Sequence, residues 1–231
     1  MSIAAIISDM DGTLIDTEEA SAQAVENVLL RHGLAFSPAE KRAIIGASWE
    51  KVWRDLYARA DPPTLEKGEL CALVLAEKEL LLAGNLRVLP GAIAMMKRVS
   101  ARWPLAIVSG SYTSEIAAML RETGCEGDVR LFFGADRYTH SKPSPECYLL
   151  ATQLLNVGPR RCVALEDSEA GVGAAKAAGM FTVAIQAGNT SSQNLSHADL
   201  QIASLLDLDD ARLDALDRRV DAGPSSVIKT Q

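Results

Sequence analysis

Short apolar runs alternate with helical patterns along most of this chain, and that alternation limits the folds open to it. Ile3-Ala4-Ala5-Ile6-Ile7 is a run that reads as a buried strand, and the runs at 105–109, 131–134, 162–166 and 182–185 read the same way. Helical patterns separate most of them, at 92–102, 114–123, 146–155 and 169–178. Ser144-Pro145 suggests an N-cap followed by a first-turn proline, and Gly124 suits a position just past a helix end. Strands alternating with helices predict a parallel sheet covered on both faces, an α/β doubly wound, Rossmann-like core.

One segment breaks the alternation. No convincing strand appears from Asp16 to about Gly84, and four helical patterns fill the interval. Ala22, Val25, Val28 and Leu29 share one face of the first, and Ser37-Pro38 opens the second. Ser48 could cap a third that carries Trp49, Val52, Trp53 and Leu56 on one side, where the two indoles read first as core. Residues 65–83 form the fourth. This stretch is far longer than a βα connection needs. The expected organisation is a core of residues 1–15 and 86–221, a helical insert at 16–85 with hinges near 14–17 and 84–89, and a polar tail at 222–231.

Composition excludes some functions. Thirty Asp and Glu against 23 Lys and Arg give a net charge of −7, which argues against nucleic acid or an anionic membrane as the main partner. A small phosphate ester is still open, because a few local cations and backbone amides can hold one. Cys71, Cys125, Cys147 and Cys162 form no C-x-x-C pair and lack a nearby His at metal spacing, so free thiols in a reducing cytoplasm are expected. No apolar stretch is long enough to span a bilayer, and the first residues show no signal peptide. His32, His140 and His197 have no partners at useful spacing.

Chemistry concentrates where strands end. Asp9 and Asp11 follow the first run, and two carboxylates so close imply a cation between them, a proton shared between roles, or both. A carboxylate can attack phosphorus, and a neighbouring carboxylic acid can protonate the leaving alkoxide. Gly12 and Thr13 allow a tight turn whose amides could meet phosphate oxygens. Ser109-Gly110-Ser111 follows the second run and offers hydroxyls and amides without added charge. Lys142-Pro143 offers one cation, and Glu166-Asp167-Ser168 offers oxygen ligands suited to Mg²⁺ beside a helix cap. Each motif alone could be an ordinary loop; their shared position is what makes them specific.

Together, Asp9-Met10-Asp11-Gly12-Thr13-Leu14, Ser109, Lys142-Pro143 and Glu166-Asp167-Ser168 resemble, in order and spacing, the four motifs of the haloacid dehalogenase superfamily. The resemblance spans roughly residues 1–205, and the helical insert is similar to that family's α-helical cap. It implies Asp9 as nucleophile and Asp11 as general acid and base. It implies Ser109 and Lys142 on the phosphate, beside the Gly12, Thr13 and Gly110 contacts read from the turn and loop, and Mg²⁺ on Asp9, the Asp11 carbonyl and Asp167, with Glu166 in support. Dehalogenases of the family lack the second acid, so Asp11 points to phosphoryl chemistry. Leu34-Ala35-Phe36 and the Glu-Asp-Ser-Glu-Ala-Gly stretch most resemble the sugar-phosphate phosphatase and β-phosphoglucomutase group. The mutases carry a His where Ser21 stands, which favours a phosphatase.

The expected activity is therefore Mg²⁺-dependent hydrolysis of a small phosphorylated metabolite by a cytoplasmic monomer. A mutase is the first alternative. A phospho-accepting receiver is the second, though it would not need the insert. Gly171-Val172-Gly173 hints at a dinucleotide site, but Lys176 stands where the third glycine should be. Gly46-Ala47-Ser48 is the candidate substrate-facing loop, with Gly46, Ser48 and Lys51 as its contact residues.

Overall fold

A computed structural model describes residues 2–45, 47, 49–186 and 193–222. Six parallel strands form the main sheet: β1 (Ala5–Ser8), β4 (Leu105–Val108), β5 (Leu131–Phe133), β6 (Cys162–Glu166), β7 (Phe181–Ile185) and β8 (Leu200–Ile202). Their order across the sheet is β5-β4-β1-β6-β7-β8. The strand side chains alternate between two cores. Ile6, Leu105, Ile107, Val163 and Leu165 join one, with the helices α5 (Ala92–Ser100), α6 (Thr113–Thr123) and α9 (Asp210–Ala222). Ala5, Ile7, Ala106, Val108 and Ala164 join the other, with α7 (Glu146–Leu155) and α8 (Glu169–Ala177). A period of two with both faces covered explains why these strands read as unbroken apolar runs.

The chain leaves β1, builds the sheet outward through β4 and β5, and returns to β6 on the other side of β1. That reversal opens a crevice at the strands' C-terminal ends, which is where doubly wound sheets place ligands.

Helices α1 (Glu18–Arg31), α2 (Pro38–Ile44), α3 (Trp49–Tyr57) and α4 (Lys67–Leu82) occupy the strandless interval. Ser37 caps α2 in a reciprocal box with Glu40. The four helices bury a cluster of their own, including Val25, Leu29, Val52, Trp53, Leu70 and Val74. Two short strands, β2 (Ile15–Asp16) and β3 (Arg87–Val88), pair antiparallel where the chain enters and leaves this segment. Arg87 also reaches Asp16 at 3.0 Å, so the two junctions form one ribbon.

The structure adds β2, β3, β8 and α9 to the elements expected from sequence. It also moves the start of α7 one residue on, placing Pro145 rather than Ser144 at the N-cap position. Of the tail expected at 222–231, Ala222 ends α9, and residues 223–231 lie outside the described residues. No helix among the described residues is long and apolar enough to cross a membrane.

Candidate active site

Asp9 stands directly after β1 and its amide donates to Leu165 O at 2.9 Å, which carries the sheet's hydrogen bonding one residue past the strand. Gly12 then turns the chain at φ 79°, a left-handed conformation. The turn needs glycine for a second reason. A Cβ here would lie 2.1 Å from Asp167 Oδ2, so the missing side chain is what lets Asp167 approach. The amides of Gly12 and Thr13 are engaged inside the turn, donating to Ile15 O at 2.7 Å and Met10 O at 3.3 Å. Thr13 instead offers its hydroxyl to Asp167 Oδ1 at 3.2 Å.

The two acids of the first motif have different surroundings. Asp9 is buried and meets the Lys142 ammonium at 2.5 Å. Burial pushes its pKa well above the usual carboxylate range, Lys142 works against that, and Glu166 and Asp167 add repulsion. Asp11 is partly exposed and accepts from Ser109 Oγ at 2.7 Å and Thr17 Oγ1 at 2.5 Å. Burial would raise its pKa too, but Lys78 and the hydroxyls of Thr17, Ser109 and Ser111 outweigh it and hold the carboxyl below its usual value. Divergent environments for two nearby acids suit two different roles.

Lys142 bridges Asp9 and Glu166, at 2.5 Å to each. Glu166 is fully buried and well supplied with donors. Tyr148 OH gives 2.6 Å, Ser168 Oγ 3.2 Å and the Asp167 amide 3.2 Å. Gly171 makes room for it, since a Cβ there would come 2.0 Å from the Glu166 carboxylate. The Gly171-Val172-Gly173 stretch thus has a packing reason in place of a dinucleotide. Asp167 is buried as well; burial first and Glu166 second raise its pKa to about 8.

Asp9, Glu166 and Asp167 bring one carboxylate oxygen each within 4.8 Å of the others. A set of three buried hard oxygens that repel one another fits a divalent cation such as Mg²⁺.

Lys78 escapes a motif reading, yet it belongs to the site. It projects from α4, is 2% exposed, and lies 2.8 Å from Glu115 Oε1, 3.3 Å from Ser111 Oγ and 3.7 Å from Asp11 Oδ1. Burial opposes its charge, but Asp11 and Glu115 more than compensate and raise its pKa. The signal was its spacing: Leu70, Val74 and Lys78 continue one buried stripe at intervals of four. A lysine on such a stripe needs a buried partner. Glu115 also accepts from the Tyr112 amide at 2.8 Å, which ties the pair to the start of α6. Tyr138, also unassigned from sequence, supports the Ser109 loop by donating to Ser109 O at 2.9 Å.

Asp9, Asp11, Lys78, Lys142 and Asp167 form the floor of a cavity of about 230 Å³ beneath the helical segment. Its far wall includes Ile44, Ala47, Trp49, Glu50 and Val52, and Ser21 lines it too. Trp53 is buried, as its spacing implied, and Trp49 stacks on it at 5.0 Å while remaining half-buried against the cleft. Gly110 lines the floor. Of the proposed loop residues, Gly46 and Ser48 lie outside the described residues. Lys51 pairs with Asp55 at 2.6 Å and is not part of the cavity wall.

Comparison with known proteins places this geometry. The model of the haloacid dehalogenase-like hydrolases matches residues 3–179. Fructose-1-phosphate phosphatase YqaB of Escherichia coli (strain K12) is 31% identical over 188 residues, covering 79% of this chain and 96% of that protein. The crystal structure of CbbY from Rhodobacter sphaeroides in complex with phosphate superposes with a TM-score of 0.80 at 29% identity, over 92% of this chain and 99% of that one. A mutant of that protein, in complex with xylulose-(1,5)bisphosphate, gives 0.78 at 28% identity, over 89% and 96%.

Proposed function

We propose a reaction for a chain that belongs to the haloacid dehalogenase-like hydrolase family: hydrolysis of a small phosphate monoester, of the sugar-phosphate class, through an aspartyl phosphate on Asp9. The observation that carries it is the division of labour between Asp9 and Asp11. One acid is buried against Lys142; the other is held in a net of hydroxyls at the cleft.

A carboxylate oxygen of Asp9 attacks phosphorus as the bond from phosphorus to the ester oxygen breaks. Asp11, in its acid form, gives that oxygen a proton, and the alcohol leaves. Water then attacks the phosphorus of the acyl phosphate while Asp11, now a carboxylate, takes its proton. Inorganic phosphate departs and Asp9 is restored. The surroundings of Asp11 favour the carboxylate, the form needed in the second step. An arriving phosphate dianion raises the pKa of a nearby acid, which supports the protonated form for the first. Lys142 balances charge on Asp9 and the phosphoryl group, and Glu166 holds Lys142 in place. Asp9, the Asp11 carbonyl and Asp167 would hold Mg²⁺, with Glu166 behind them; bound there, the ion supplies positive charge to the phosphoryl oxygens.

Residues 16–85 act as a cap over a core of residues 1–15 and 86–221, and the β2–β3 ribbon is the hinge. Purified protein with p-nitrophenyl phosphate and Mg²⁺ should release phosphate, and EDTA should abolish release. Equal turnover without metal would remove Mg²⁺ from the reading. With β-glucose 1-phosphate and its 1,6-bisphosphate, glucose 6-phosphate forming faster than free phosphate would replace hydrolysis with a mutase reaction.

A further inference from the structure

We propose that the cleft selects monoesters whose leaving group carries no second anionic group, and that Trp49 and Glu50 make the selection. This deepens the phosphatase reading and rests on it. Lys142 and Lys78 are the cations among the described residues that line the 230 Å³ cavity. Neither is available to a distant anion. Lys142 lies 2.5 Å from both Asp9 and Glu166; Lys78 lies 2.8 Å from Glu115 and 3.7 Å from Asp11. Both therefore serve the reacting end.

The opposite wall has another character. Ile44, Ala47 and Val52 are apolar, and the Trp49 indole is fixed by near-parallel stacking on Trp53, at 5.0 Å and 14°. An indole face suits the C–H face of a neutral sugar ring or polyol. Glu50 is exposed beside it, where a carboxylate accepts hydroxyls and repels a phosphate or another carboxylate. CbbY shows that a relative of this fold can bind a bisphosphate, so the distinction is a real one within the family. An adjoining cavity of about 600 Å³ shares Trp49 and Glu50 and is also lined by Lys67 and His140. His140 already lies 2.7 Å from Glu146. Among the described residues lining that cavity, Lys67 is the further cation that could meet a second phosphate, and the test includes it.

The experiment compares fructose 1-phosphate with fructose 1,6-bisphosphate, reading kcat/KM for the first phosphate released in Mg²⁺. The monophosphate should be favoured by about tenfold or more, the scale on which one misplaced group is discriminated. Glu50→Gln should shrink that ratio several-fold by improving the bisphosphate, and Glu50→Lys should shrink it further. Trp49→Ala should raise KM for the monophosphate more than it lowers kcat. Calorimetric titration of Asp9→Asn protein with both sugars reads the same preference without turnover. A ratio near one, or inverted, overturns the proposal; if Lys67→Gln then slows the bisphosphate, Lys67 is the second-phosphate site. A ratio unmoved by both Glu50 variants overturns the role of Glu50. Failure to hydrolyse p-nitrophenyl phosphate would instead strike the parent reading, while the titration would still report selection.

Discussion

The cleft's floor comes from the C-terminal ends of β1, β4 and β6, whereas much of its wall comes from α3 and the start of α1. On the floor, Asp9 and Asp167 are buried, Ser109 and Glu166 are buried beneath them, and each is held by a partner from another part of the chain. On the wall, Ser21, Ala47 and Trp49 are half-buried and Glu50 is exposed. A buried charged group is costly to leave unpaired, so each floor residue constrains the others. A half-exposed residue on a helix has water as an alternative partner, so it can change with less damage. A fixed floor can thus keep its chemistry while the wall varies. Substitutions on the floor should therefore cost turnover, and those on the wall should redistribute it among substrates.

The largest effect expected is from Asp9→Asn. Loss of the proposed nucleophile should cut kcat by about a thousandfold or more, while thermal unfolding shows the fold intact. Burial first, and then repulsion from neighbouring acids, disfavours ionised Asp9, which offsets the loss of its Lys142 pair. Substantial residual turnover would mean that another group forms the covalent intermediate, and the division between floor and wall would lose its basis.

Lys78 tests the division from the other side, because it comes from the helical segment yet sits among floor residues. Lys78→Met should lower kcat about a hundredfold, the low end of what a proton-transfer group such as Asp11 contributes. The kcat loss would act through Asp11, which faces Lys78 at 3.7 Å. The change should also cost about 3–5 kcal/mol of stability, since Glu115 is left buried without its cation. Adding Glu115→Gln should recover much of the stability and little of the turnover. Recovery of both would reduce Lys78 to a structural ion pair.

A third expectation concerns metal and pH. The Asp167 pKa is raised from 3.8 to about 8 in the folded chain. A carboxylate with a raised folded pKa binds its proton more tightly when folded. Its contribution to stability is therefore greatest at low pH and is lost as pH rises towards 8. Mg²⁺ needs the carboxylate form, so its binding should strengthen over the same interval. The rise in Tm produced by Mg²⁺ should grow from pH 6 to pH 8, and Asp167→Asn should remove most of that growth. A Mg²⁺ effect independent of pH would take Asp167 out of the metal site.

The floor was legible in the sequence because its residues follow fully buried strands, where an acid or lysine stands out against an apolar run. The same logic made β1, β4, β6 and β7 readable. The edge strand β8 has only Leu200, Gln201 and Ile202, too few to show a period. β2 and β3 are two residues each. Helix α9 carries many charges, and its buried Leu213, Leu216 and Val220 are spread thinly among them. Lys78 was missed because a lysine is ordinarily solvated, although its place on the Leu70–Val74 stripe marked it. Trp49 and Trp53 share a helix face, and spacing alone does not say which one meets the cleft.

The smallest effect should come one residue away from one of the largest. Glu77 precedes Lys78 on α4, and a step of one residue turns a helix by about 100°. Glu77 faces α1, accepting from Asn27 at 2.6 Å and pairing with the exposed Arg31 at 2.6 Å. Arg31 therefore anchors one side of the helical segment but touches neither cavity described above. Arg31→Ala should change stability by at most about 1 kcal/mol, as for other solvated pairs, and increasingly less as salt is raised. Glu77 keeps Asn27, so no buried charge is orphaned. Steady-state kinetics should match the unmodified chain for both p-nitrophenyl phosphate and a sugar monophosphate. A selective loss on the sugar substrate would show that packing of α1 against α4 sets the position of the wall, and selectivity would then extend through the helical segment beyond the residues that line it.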